Sequence, residues 1–285
     1  MKAKFLLLLL VLTLFVVQLQ ASAQADTPSI DLGQSRWNKT VLSVLLITDE
    51  GQSWWQAYFP NMTVRAVQQW NDALSYFAEK YPQYSYLANV ELITSLSNVS
   101  LPEFDIYIAF SPNVLISGVD ALGETLVESS SNGTIKVANI TLSAKSEVVD
   151  ITKQDYRDTT VHELGHALGL GHSNSSEDLM YPYNDIFSSD YAISTLDLYG
   201  TAVLFEPTNT SEAKPPAFVV LPSEIAYTYA PVNDPAPTTI EDNPIVKFLA
   251  VLALNPITLL LMVVLVAVIM MLVAVIVRRR KHRRR

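Results

Sequence analysis

"HELGHALGLGHSNSSEDLMYP", residues 162–182, holds three of the four histidines in a chain of 285 residues. The fourth, His282, lies in a basic C-terminal run. Imidazoles serving only as occasional core or surface residues would be scattered, so three within eleven positions point to nitrogen ligands. From Lys153 to Leu168, Val161, Leu164, Ala167 and Leu168 recur at helical spacing, with Asp155 and Asp158 near the positive helix end. On that helix His162 and His166 are one turn apart on one face and can converge on one ion at about 2.0–2.1 Å, the zinc–nitrogen distance. Continuing the helix to His172 would rotate it roughly 240° from His166 and carry it about 9 Å along the axis, out of reach. The helix must break, and Gly169 and Gly171 are where it can. The chain then doubles back and delivers His172 as a third ligand. Three protein ligands leave a fourth position open, which separates a catalytic zinc site from a closed structural one. Glu163, about 100° around the helix from His162, is placed as a general base rather than a ligand.

Outward from this stretch the body reads as mixed α and β. Val41 to Thr48 is an apolar run suited to a buried strand, and Val64, Val67, Trp70, Leu74 and Phe77 recur at helical spacing. Strand-like runs follow at Leu87 to Thr94, Phe104 to Phe110 and Ile135 to Ser143, with a weaker one at Ala121 to Val127. The order predicts a twisted sheet with helices behind it.

The ends of the chain differ from the body. Lys2 and Lys4 precede an apolar run from Phe5 to Val17, and Ala21-Ser22-Ala23 offers a cleavage site, so residues 1–25 are expected to be a secretory signal peptide. Ile257 to Val277 is 21 residues with Thr258 as its only polar side chain, about 31 Å as a helix, enough for one transmembrane span. The basic run 278–285 after it is expected to stay cytoplasmic and meet anionic headgroups, which places the N-terminal body outside the cell, on a single-pass anchor. Exchange of the hydrophobic tail for a lipid is the competing reading. Residues 207–246 are rich in proline and read as an extended stalk, with a strand docked on the body as the competing reading for Phe218 to Tyr229.

Of 19 basic residues, seven lie in the tail and two in the signal, leaving 10 against 28 acidic residues, a net charge of −18 outside the membrane. That argues against nucleic acid as a partner. Cysteine is absent, which excludes disulfides, thiolate ligands and a cysteine nucleophile. Seven Asn-x-Ser/Thr sequons, at Asn38, Asn61, Asn98, Asn132, Asn139, Asn174 and Asn209, fit an exported glycoprotein.

The run His162-Glu163-Leu164-Gly165-His166-Ala167-Leu168-Gly169-Leu170-Gly171-His172, followed by Met180, resembles the HExxHxxGxxH and Met-turn signature of metzincin metalloproteases. Ser173 and Leu179-Met180-Tyr181-Pro182 resemble the matrixin branch. The resemblance implies an α+β fold over 36–206: a twisted mixed sheet with an active-site helix and a C-terminal helix, the latter opening at Ser194 as N-cap with Asp197 three residues on. It also implies one catalytic Zn2+, a hydrophobic floor at Met180 and a protein or peptide substrate. The chain departs from that pattern in three ways. With no cysteine, latency through a propeptide cysteine is not expected; with no further histidine before the tail, neither is a second, structural zinc. Tyr183 directly after Pro182 alters the wall of the specificity pocket. Calcium sites stay open, without a recognisable ligand pattern, and oligomeric state is not legible. The expected function is that of a membrane-anchored extracellular zinc endopeptidase. The alternative is an inactive surface-binding module that keeps zinc to staple its fold.

Overall fold

Strand β1 (Ser29–Leu32) precedes β2 (Val41–Ile47), and helix α1 (Phe59–Lys80) with a 3-10 stretch (Pro82–Asn89) leads to β3 (Glu91–Ser97) and β4 (Ile106–Ser111). A hairpin of β5 (Val114–Ile116) and β6 (Val119–Ala121) runs into β7 (Gly123–Ser129) and β8 (Ile135–Ser143). Helix α2 (Lys153–Leu168), β9 (Leu170–Ser173), α3 (Thr195–Phe205) and β10 (Phe218–Val220) complete the order. This is the architecture of a computed structural model, which describes residues 27–146, 151–182, 192–207 and 214–232. The signal segment 1–25, the apolar run 257–277 and the basic run 278–285 lie outside the described residues. Among the described residues no helix is long and apolar enough to cross a membrane.

The main sheet has the order β3-β2-β4-β8-β7. Its first four strands are parallel, and β7 runs antiparallel to β8 at the edge. Parallel strands are covered on both faces and so read as continuous apolar runs. In β2, Leu42, Val44, Leu45 and Leu46 are all fully buried. α1 and α2 pack against this sheet and each other. Trp70, fully buried on α1, donates its indole N–H to the Val161 carbonyl of α2 at 2.8 Å, and Trp37 donates to the Ala167 carbonyl at 2.9 Å. Two tryptophans thus fix both ends of the helix segment that carries the histidines.

α1 starts earlier than its apolar spacing predicts, because Pro60 is tolerated in a first turn where its missing N–H has no helical partner. Val64, expected on the apolar face, is 37% exposed, and Phe59, Thr63 and Ala66 take the buried face with Val67. The strand expected over Leu87 to Thr94 is divided. Pro82 opens the 3-10 stretch, Leu87 is buried within it, and Tyr86 donates to the Ala202 carbonyl at 2.8 Å, so β3 begins only at Glu91. Tertiary anchoring of the aromatic residues overrides the local strand preference.

A second, antiparallel sheet has the order β10-β1-β9, and of its strands sequence offered only β10, as an alternative to the stalk. It recruits part of the proline-rich region. Where the stalk and a docked strand were both open, Phe218–Val220 pairs with Ser29–Asp31 of β1. The same segment continues around α3: Thr195 N–H donates to the Thr228 carbonyl, Ala230 N–H to the Ile193 carbonyl, and the Tyr229 hydroxyl to the Glu177 carbonyl. Val219, Ile225 and Ala230 are buried. Residues 214–232 are therefore a strap on the body rather than a spacer. Ile225→Ala should lower stability by about 2–4 kcal/mol, the usual cost of emptying a buried isoleucine site, read as a lower denaturant midpoint; a free stalk would leave the midpoint unchanged.

Candidate active site

Thr152 opens α2 with a capping box: its hydroxyl accepts from the Asp155 N–H, and the Asp155 carboxylate accepts from the Thr152 N–H at 2.9 Å. Asp158, expected beside Asp155 at the helix start, is instead buried with Arg157, 3.3 Å away. Burial pushes its carboxyl up to about 6 against the pull of that guanidinium. Gly169 closes the helix at φ 108°, its N–H reaching the carbonyls of Gly165 and His166. The reversal leads into β9, which carries His172. Gly171, the other expected break, has no left-handed φ; its bare Cα instead admits β1, since a Cβ there would lie 2.8 Å from Asp31 Cβ.

His162, His166 and His172 come together, one ring nitrogen of each lying within 4.8 Å of the others. Among the described residues this is the one such group of histidine, cysteine or carboxylate ligands. The ring orientations are set from behind. His162 Nδ1 lies 2.8 Å from the Leu179 carbonyl and His166 Nδ1 lies 2.9 Å from the Leu170 carbonyl. A carbonyl can only accept, so both Nδ1 atoms carry the proton and Nε2 is the free lone pair. Burial holds His162 down to about 3 and His166 to about 4, and lowers His172 as well, so all three are neutral, as metal ligands must be. Three neutral imidazoles, two of them with fixed tautomers, fit a zinc ion and leave one position open.

Met180 is fully buried. Its side chain packs on Gly165 of α2: a Cβ at 165 would collide with Met180 Sδ and lie 3.3 Å from Trp70. Its carbonyl accepts from Ser173 N–H at 2.8 Å, which ties the turn to the strand of the third histidine. Glu163, beside His162, is buried against β7. Its carboxyl lies 2.6 Å from the Thr125 hydroxyl, and burial, with the Glu124 charge adding, pushes it up to about 7. Tyr183 lies outside the described residues.

A buried carboxylate pair, Asp178 and Asp197, joins the Met180 turn to α3, and only Asp197 was read from sequence. Asp178 accepts from the hydroxyls of Ser173 and Ser194 and from the Met180 N–H. It thereby joins β9, the Met180 turn and the cap of α3. Asp197 completes the capping box of Ser194, as its spacing implied, accepting from Ser194 N–H at 2.8 Å. Ser194 and Asp197 at capping distance were the legible half; Asp178, nineteen positions before Asp197, had no local signal.

An imidazole triad that could hold a metal ion, two members on the helix behind a mixed sheet and the third on the strand that follows, with a carboxylate beside it, is the kind of site that metallopeptidases use. The sequence model of the family described as matrixin matches residues 36–206, and the chain belongs to that family, whose members use a catalytic zinc. It is 37% identical over 65 residues to macrophage metalloelastase of Rattus norvegicus, covering 21% of this chain and 14% of that one. It is 42% identical over 48 residues to interstitial collagenase B of Mus musculus, covering 17% and 10%. Over 49 residues it is 43% identical to matrilysin of Rattus norvegicus, covering 17% and 18%. The matched segments thus span less than a fifth of these curated relatives.

Burial raises both Asp178 and Asp197; the charge of Asp178 adds to the effect at Asp197, which lies well above its usual 3.8, while a hydrogen bond with Asp197 pulls Asp178 partly back. A carboxyl with a raised folded pKa binds more protons folded than unfolded, so its stabilising contribution is complete below about 3.8 and declines as pH rises towards the folded value. Asp197→Asn keeps an acceptor for Ser194 and removes one charge. The variant should lose less stability than the parent between pH 5 and pH 8, measured as denaturant midpoints across that range.

Proposed function

We propose that this chain is a zinc-dependent endopeptidase whose body is held outside the cell on a membrane anchor. The observation that carries the reading is the convergence of three imidazoles beside a buried carboxylate that has no ligand to replace. His162, His166 and His172 would hold the ion. When bound, zinc supplies Lewis-acid polarisation of a peptide carbonyl and acidifies water. Glu163 takes the proton from the attacking water and passes it to the departing amine. The Leu179 and Leu170 carbonyls keep the His162 and His166 rings from turning during the cycle. β7 pairs with β8 on one side, and its other edge is free of strands among the described residues. An extended peptide can add to such an edge through backbone hydrogen bonds, which places a scissile bond next to Glu163. A protein or peptide substrate follows from this reading, as it does from family membership.

Export rests on the signal-like segment 1–25, the sequons and the acidic body; anchoring rests on the apolar run 257–277 with its basic flank. Asn38, Asn61, Asn98 and Asn132 are exposed and suit glycosylation. The mass of protein extracted from membranes tests the anchor: a mature chain that retains residues 257–285 supports a span, and loss of everything beyond about residue 244 replaces it with a lipid.

Glu163→Gln should keep zinc and near-parental melting, because an amide of the same shape leaves the three ligands in place. Its peptidase activity should fall by roughly two orders of magnitude or more, the scale of a lost acid–base group. His166→Ala should lose both zinc and activity. Zinc content, thermal melting and cleavage of a quenched peptide library separate the cases. A Glu163→Gln variant as active as the parent refutes the mechanism, and a zinc-loaded parent that cleaves nothing favours a binding module.

A further inference from the structure

β7 meets the glutamate of α2 through two residues on one face of the strand. Gly123 lies against it so closely that a Cβ there would be 2.8 Å from both Cγ and Oε1 of Glu163 and 3.0 Å from Cδ. Two residues on, pointing the same way, Thr125 places its hydroxyl 2.6 Å from Oε2 and 3.1 Å from the carbonyl oxygen of the same glutamate. One residue leaves room for the carboxyl group and the next grips it. A hydroxyl carries a single proton, and both acceptors here belong to Glu163, so the contact fixes the side chain relative to its own backbone. The strand itself is fixed: Thr125 faces Ile140 in the register with β8, and Ile140 is buried. Glutamate has three side-chain torsions, and one that must present an oxygen to a reacting proton needs an anchor on a rigid element.

We propose that Thr125 is a positioning residue for the proposed reaction, holding Oε2 of Glu163 so that Oε1 is the oxygen that exchanges the proton. The inference rests on the peptidase reading of this site. A threonine in a strand also has a bland explanation, since β-branched residues favour that conformation. Valine shares the branching and lacks the hydroxyl, so Thr125→Val isolates the contact.

The test uses the full zinc-loaded chain purified in detergent, with kcat and KM measured on a peptide that the parent cleaves. Thr125→Val should lower kcat by about ten- to a hundredfold, the scale of a hydrogen bond to a charged group. KM should stay within about twofold and zinc content at one ion per chain, as expected when only a transition-state interaction is lost. Thr125→Ser, which keeps the hydroxyl, should recover most of the rate. In a Glu163→Gln background Thr125→Val should change the residual rate by less than about twofold, because no proton acceptor is left to position. Melting of the zinc-free chain gives a readout apart from activity: Thr125→Val should lower the midpoint, and should not do so when Glu163 is already leucine. A parental kcat in Thr125→Val, a loss confined to KM, a serine variant no better than valine, or an undiminished loss in the Glu163→Gln background would each overturn the role of Thr125. A parent that binds zinc and cleaves nothing overturns instead the reaction itself.

Discussion

The left-handed turn at Gly169 is the constraint on which the site depends. At φ 108° it ends α2 after His166 and starts β9 before His172, so the third imidazole arrives from a strand instead of from the far side of a longer helix. A side chain at 169 would be strained by that φ and would also press on Leu204 Cδ1 and the Ser35 carbonyl, each 3.2 Å from its Cβ. The turn is held from outside as well. Gly33 N–H donates to the Gly169 carbonyl at 2.7 Å, and β9 then pairs with β1. The second sheet therefore has a purpose beyond covering the core: it fixes the return path of the chain.

Because β1 supports β9, whatever supports β1 supports the third histidine. β10 does so on the opposite edge of β1, and the strap that follows reaches Ile193 and Thr195 at the start of α3 and Glu177 near the Met180 turn. Asp178 closes the circuit, since it contacts Ser173, Met180 and Ser194 at once. Three segments far apart in sequence are thus bound into one wall of the site without a disulfide, in a chain that has no cysteine.

What could be read from sequence and what could not divides along contact range. The histidine helix was legible to the residue at both ends, Lys153 and Leu168, because its ligands recur at one turn and its stop is a glycine. β2, β8 and α1 announced themselves by apolar runs or spacing. β1, β9 and β10 are only three or four residues long, and β1 pairs with β10 across about 190 positions, so no local pattern marks β1 or β9, while the alternation from Phe218 left β10 open as a competing reading beside the stalk. Thr125 fell between these cases. The weak strand around it was recognised, but nothing in Gly123-Glu124-Thr125 says which face meets a helix that begins some thirty residues later.

The distribution of buried charge shows where stability has been given up. Asp158, Glu163, Asp178 and Asp197 are buried on α2, the Met180 turn and α3, and burial raises the pKa of each, which makes the ionised form costly. Around β2 and α1 the large buried side chains are apolar: Trp70, Phe59, Phe77, Leu42, Leu45 and Leu46. A sequence optimised for stability alone would extend that apolar packing through α2, yet α2 buries Arg157, Asp158, Thr159, Thr160 and Glu163 in succession with its apolar residues. Local rules are broken most where a structure has to do chemistry, and offset where it does not. On that argument the apolar half is the reserve that lets α2 keep one carboxyl group dry and oriented beside three neutral imidazoles, an arrangement that the proposed reaction would use and that folding by itself would not select.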